Sequence, residues 1–334
     1  MAGFVGVNSP IAVIGLSFLK RQAIMFDKIA IPFLTKFINL FEESIVLKSR
    51  LPENCISELL WLQEEGLIFE PKIDLSKGCG INTNEYTYYS GLLDEQTDSI
   101  KKAMERSVFN NLDTLQQQEN KLVELINNKE QNKEELSQYE NMIFGGLVAF
   151  EYYQRLTSIQ LRETSKMDAY PVLLLTMSQE QSSQIIKNEV LQIILNHLPI
   201  PDETVSWEQI MEYRSDPDSK HKFLDLRNWM NEVAKGELTL IEVEQKLEHL
   251  VSQYQRHMEL HRMKTSAGTF ETILVTGAEI LEGLTHFQFS KAAKALFLLK
   301  HRRIALMEGE LTSPGSEVAY VIKAKETFSN SEIP

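Results

Sequence analysis

Three histidines offer the most visible chemistry in the chain. His257 and His261 stand four residues apart in "QRHMELHRMK", and His249 lies eight residues upstream of the first. On a helix, four residues turn a side chain through about 400°, so His257 and His261 share a face. Imidazoles paired in this way can hold zinc. The zinc-hydrolase pattern, however, puts a glutamate directly after the first histidine. Here Met258 takes that place and Glu259 points elsewhere. No cysteine or carboxylate cluster nearby supplies a third ligand, so the three histidines are expected to form one polar helix face, with a metal site as the alternative.

Asp27 in "IMFDKIAIP" is the second candidate. A carboxylate fixed at the end of an apolar strand is where metal-dependent hydrolases often hold a divalent ion. Such a site needs further carboxylates, and Glu42, Glu43 and Asp168 are the candidates. Without them Asp27 reads as a cap or as the partner of a neighbouring cation such as Lys28. A third group lies in "WEQIMEYRSDPDSKHKFLDLRNWM". Its alternating charges suggest a solvated network. As a recognition surface it would use Arg214 and Arg227 as anchors beside the aromatic rings of Trp207 and Trp229. The basic run "KAAKALFLLKHRR" at 291–303 could meet an anionic surface, or simply place cations near a helix C-terminus, where the helix dipole favours them. No phosphate-binding loop, dinucleotide fingerprint, serine-hydrolase elbow or Cys-x-x-Cys pair occurs. No cofactor is expected.

The elements that must position these residues follow from hydrophobic periodicity. The apolar run from Gly3 to Leu19 contains Pro10 and lacks a basic leader. It is expected to form a strand with a short helix or second strand in a core, not a membrane segment. Residues 22–34 read as a strand or strand pair, 35–70 as helix, a stop at Gly66 and a short strand, and 71–90 as loop. Residues 91–143 read as a polar helical arm. Val108, Leu112, Leu115, Leu122 and Ile126 suggest a heptad-like seam along it. Gly145-Gly146 is expected to interrupt the chain before the next helix. A buried strand follows at 170–176 and a helix at 178–197. Ser206 and Asp216-Pro217 begin two more helices. A long amphipathic helix then carries Leu240, Val243, Leu247, Leu250, Tyr254 and Met258. Two apolar helices are expected at 269–285 and 289–308, with Gly277 and Gly283 marking a hinge or close packing, and a strand at 317–323.

The sum is a mostly α chain with a small mixed sheet, an α+β arrangement of long amphipathic helices and one polar arm. Three portions are expected: an α/β part at 1–90, the arm at 91–143, and a helical part at 144–334. The chain of 334 residues can bury a core without metals or disulfides, and its two cysteines, Cys55 and Cys79, fit a reducing cytoplasm. A net charge of -13 argues against nucleic-acid binding over the whole surface.

"IMFDKIAIP" followed by "LLWLQEEGLIFEP" resembles the opening of uncharacterised bacterial proteins carried in accessory or antiphage-defence loci. "WEQIMEYRSDPDSKHKFLDLRNWM" is similar to a segment of the same proteins. The resemblance spans about a third of the chain, implies a bacterial cytosolic origin, and brings no catalytic residue with it. The leading functional expectation is a sensor or accessory subunit that acts by oligomerisation or partner binding. The alternatives are a metal-dependent nuclease or hydrolase built on Asp27 and a membrane-active effector.

Overall fold

The computed structural model describes residues 3–9, 16–43, 54–73, 81, 83–107, 115–129, 131–173, 183–236, 238–260 and 313–329. Two compact units divide the chain: Met1–Glu180 with Ile200–Ile210, and Gln181–Pro199 with Met211–Pro334.

In the first unit, β1 (Phe4–Val7) leads to α1 (Leu16–Met25) and β2 (Lys28–Ala30). α2 (Leu34–Glu43), α3 (Cys55–Glu64) and β3 (Ile68–Phe69) follow. α4 (Asn84–Arg106), α5 (Leu115–Asn127) and α6 (Lys133–Ser165) precede β4 (Asp168–Pro171). The four strands form one sheet in the order β3-β2-β1-β4, and every pair is parallel. Parallel strands need crossover connections, and the intervening helices supply them.

Alternation along β1 decides what each face of the sheet meets. Val5 and Val7 join Ala30, Ala169 and Leu161 of α6 in one buried cluster. Phe4 points the other way, stacking on Phe26 at 5.0 Å and lying 5.6 Å from Tyr170. Gly6 shares the Phe4 face, and a Cβ there would fall 2.5 Å from the Phe26 ring. The absent side chain is the space that Phe26 fills.

Several elements differ from the sequence expectation. Residues 22–25 finish α1, and only 28–30 form a strand. The last four residues of α1, Gln22, Ala23, Ile24 and Met25, are all buried, so no polar face marks the helical period there. The loop expected up to residue 90 ends at Thr83, whose hydroxyl accepts from the Tyr86 backbone N–H and starts α4. Gly145-Gly146 does not interrupt a helix. α6 runs through both, and Gly145 lets α4 approach so closely that Gln96 donates to its carbonyl at 3.3 Å. Among the described side chains of α5 the buried one is Leu125, whereas Ile126 is 53% exposed. Val108 and Leu112 of the expected seam lie outside the described residues.

The second unit contains α7 (Ser183–His197), α9 (Pro217–Val233) and a helix over residues 240–260, α10. A 3-10 turn (Ser316–Val318) leads into α11 (Ala319–Phe328). α8 (Trp207–Ser215) gives its start to the first unit and its end to the second. The strand expected at 317–323 is therefore a helix. Its β-branched residues suggest a strand, yet Val318, Val321, Ile322 and Phe328 are buried at helical spacing. Tyr254 and Met258 of α10 pack against Ala319 and Ile322. Ser206 and Gln209 form a reciprocal cap at the start of α8, and Asp216 caps α9, as their sequence signatures suggest. The helices expected at 269–285 and 289–308, with Gly277, Gly283 and the basic run at 291–303, lie outside the described residues.

Gly6→Ala is expected to destabilise the first unit by about 1–3 kcal/mol, because the added methyl must displace a fully buried ring. Denaturant unfolding, followed against the wild-type chain, measures it.

Candidate functional site

A parallel sheet offers its ligand site at the carboxyl ends of the strands, where the strand order reverses. Here the chain builds outward from β1 through β2 to β3, then places β4 on the opposite side of β1. The reversal therefore falls between β1 and β4. Their carboxyl ends are held by Val172 N–H donating to Val7 O at 2.8 Å, and Asn8 N–H donates to Ala30 O at 2.9 Å on the other side.

This edge is lined with buried polar groups. Asn8 is 0% exposed; its Nδ2 donates to Gln22 Oε1 at 2.8 Å, and its Oδ1 accepts from Ser9 N–H. Gln154 reaches in from α6, seven residues before Leu161 and on the same helix face. Its Nε2 donates to Val172 O at 2.7 Å and to Val7 O at 3.3 Å, so one amide spans both strand ends. Its Oε1 is buried and has no hydrogen-bond partner among the described residues. Thr157 Oγ1, one turn further along α6, is in the same condition. Burying an acceptor without a donor costs about 1–3 kcal/mol, so such an atom calls for a partner.

At the carboxyl end of β2 the backbone is strained. Phe33 has φ 60°, the left-handed region, which a bulky residue rarely adopts. The conformation is held from both sides: Phe37 N–H donates to Phe33 O, and Glu70 Oε2 accepts from Thr35 N–H at 3.1 Å and from the Thr35 hydroxyl. The half-buried Phe33 ring meets Tyr153 of α6 edge-on at 5.4 Å, and Lys36 Nζ stands 5.8 Å from its centre.

Asp27 sits at the opposite, amino edge. Its Oδ2 accepts from Phe4 N–H at 2.8 Å, and its own N–H donates to Phe4 O. Asp168 begins β4 at the same edge and accepts from the Tyr170 hydroxyl at 2.6 Å. Glu42 and Glu43 are exposed at the end of α2. Among the described residues no three His, Cys, Asp or Glu side chains gather as a metal site would require. His249 is exposed and His257 half-buried on α10, while His261 lies outside the described residues.

In the first unit, Trp207 is buried and donates its indole N–H to Glu58 at 2.8 Å, with Lys20 Nζ 5.8 Å from its ring. In the second unit, Arg214 Nη1 donates to Met211 Sδ at 3.7 Å, and the Arg227 guanidinium lies 5.9 Å from the Phe223 ring. Trp229 is buried and lines an open depression of about 310 Å³ with Asp225, Asn228, Glu232, Ser316 and Glu317. At the start of α9, Lys323 of α11 bridges Asp216 and Asp218, the latter at 2.7 Å, and Lys222 binds Asp218 at 2.7 Å. The hydrogen bonds from Lys323 and from Ser219 N–H hold the Asp216 carboxyl down at about 2.

No family model, curated protein or solved structure matches this chain. The class that the fold defines is a mostly helical protein with a small four-stranded parallel sheet.

Two outcomes follow. Because Asp216 has a lowered pKa when folded, its contribution to stability is present above pH 3.8 and is lost as pH falls through about 2. Asp216→Ala should flatten the stability profile of the second unit across that window and cost about 1 kcal/mol at neutral pH through the lost cap. Unfolding monitored at stepped pH measures both. Asp27→Ala should lower stability by about 1 kcal/mol by leaving Phe4 N–H without its acceptor; thermal denaturation compares it with wild type.

Proposed function

We propose that this chain is a protein-interaction or sensor subunit, acting by self-association or by binding a protein partner. A bacterial cytoplasm, in the service of an antiphage-defence-type system, is the setting that the sequence resemblance implies. The reading rests on one observation. The polar arm formed by α5 and the first part of α6 leaves four large apolar side chains open to water. Val123 is 48% exposed, Ile126 53%, Ile143 49% and Phe144 53%. Val123 and Ile126 stand three residues apart and so share one face of α5. Lys, Glu, Gln and Asn surround them in the sequence. Large apolar side chains left open to water on a polar arm fit a contact surface.

The other readings draw less support. The carboxylate of Asp27 is engaged by the backbone at the amino edge of the sheet, away from the edge where parallel sheets hold ligands. Among the described residues no helix is long and apolar enough to cross a membrane.

Native mass spectrometry of the full chain, alone and with the proteins encoded beside it, tests the proposal. A complex, either homomeric or with a neighbour, is expected. Replacing Ile126 and Phe144 together by Asp should weaken it by about a hundredfold or more, in line with the loss of two buried anchors. A chain that stays monomeric and captures none of its neighbours ends this reading.

A further inference from the structure

The carboxyl edge of the sheet carries an inference that goes beyond the interaction reading. We propose that it binds a mononucleotide, with the base entering at the carboxyl edge beside β1. Three features lie along that edge. The first is topological: the strand order reverses at β1, the position at which parallel sheets hold their ligands. The second is the buried amide of Gln154. Its Nε2 is held by Val7 O and Val172 O, and Oε1 is bonded to the same carbon, so the unpartnered acceptor lies at this edge. The third is the pair of half-buried aromatic rings, Phe33 and Tyr153, in contact at 5.4 Å, with Tyr153 adjacent to Gln154 in α6.

The ligand class follows from what each group lacks. Gln154 Oε1 can only accept, so it selects a ligand with an N–H or O–H donor. The aromatic pair selects a flat ring, against which stacking tolerates any base. A purine presents both. Lys36 is exposed and stands 5.8 Å from the Phe33 ring, placing a positive charge where a phosphate attached to that base would lie. The strained backbone at Phe33 supports the same conclusion. A bulky residue held at φ 60° costs stability, and such strain persists where it positions a side chain for use.

Isothermal titration calorimetry of the full-length chain with AMP, GMP and adenosine tests the site. Saturable binding of AMP or GMP is expected. Phe33→Gly should weaken it by about tenfold, the value of one stacking contact. Glycine accepts the positive φ, so this variant should keep or raise the wild-type Tm, which separates loss of binding from loss of fold. Lys36→Ala should weaken AMP and leave adenosine unchanged. Gln154→Leu should abolish binding; because it also removes a donor from the carbonyls of Val7 and Val172, its Tm is measured alongside. Absence of binding to all three compounds overturns the proposal and leaves Gln154 Oε1 to a buried water. Binding that is unchanged in both Phe33→Gly and Gln154→Leu also overturns it. Phe33→Gly does not touch the α5 and α6 face, so the oligomeric state of that variant shows whether the interaction reading stands or falls separately.

Discussion

The first unit depends on the backbone pairing of four residues, Phe4–Val7. β1 is hydrogen-bonded on both edges, to β2 and to β4, and β4 pairs with it from 164 residues further along the chain, Phe4 opposite Asp168. A strand buried on both edges and both faces tolerates little variation. One face accepts the valines and Leu161, and the other accepts only Phe4 and the glycine over which Phe26 lies. The amide of Gln154 then joins the carboxyl ends of β1 and β4 from the side. The strand order, its reversal at β1 and the buried polar edge all follow from that central position.

α6 carries this constraint outward. Its 33 residues pack on β4 and β1 toward the C-terminal end, on α4 from Gly145 as far as Arg162, and on α5. Lys166 closes it in the left-handed conformation, and the chain turns directly into β4. One rigid element therefore belongs both to the candidate ligand edge, through Tyr153 and Gln154, and to the exposed apolar face, through Ile143 and Phe144. The second unit is held differently. Its helices α8, α9 and α11 are joined by Tyr213, Phe223 and Tyr320 and by the bridge from Lys323 to two aspartates. Burial pushes the Tyr213 phenol well above its usual range, so it stays neutral and donates to Tyr320 O at 3.3 Å.

What the sequence determined by itself was the local punctuation. The Ser206 and Asp216-Pro217 caps, the stop at Gly66 with φ 70°, and the helical face of Val243, Leu247, Tyr254 and Met258 were all legible, because each depends on residues within a few positions of one another. The mostly helical class with a small sheet was legible for the same reason. Tertiary structure decided the rest. The segment at 317–323 reads as a strand until its valines and isoleucine are seen to pack at helical spacing, and α1 hides its period because its last four residues are all buried. Asp27 stands out in the sequence as a carboxylate in an apolar run, yet only the pairing of β1 beside it shows that its partner is the Phe4 backbone. Gln154 gives no signal at all: it is one glutamine among many in a polar helix. It becomes distinctive only where residues 7, 154 and 172 meet, because strand pairing is a long-range interaction that no local pattern encodes.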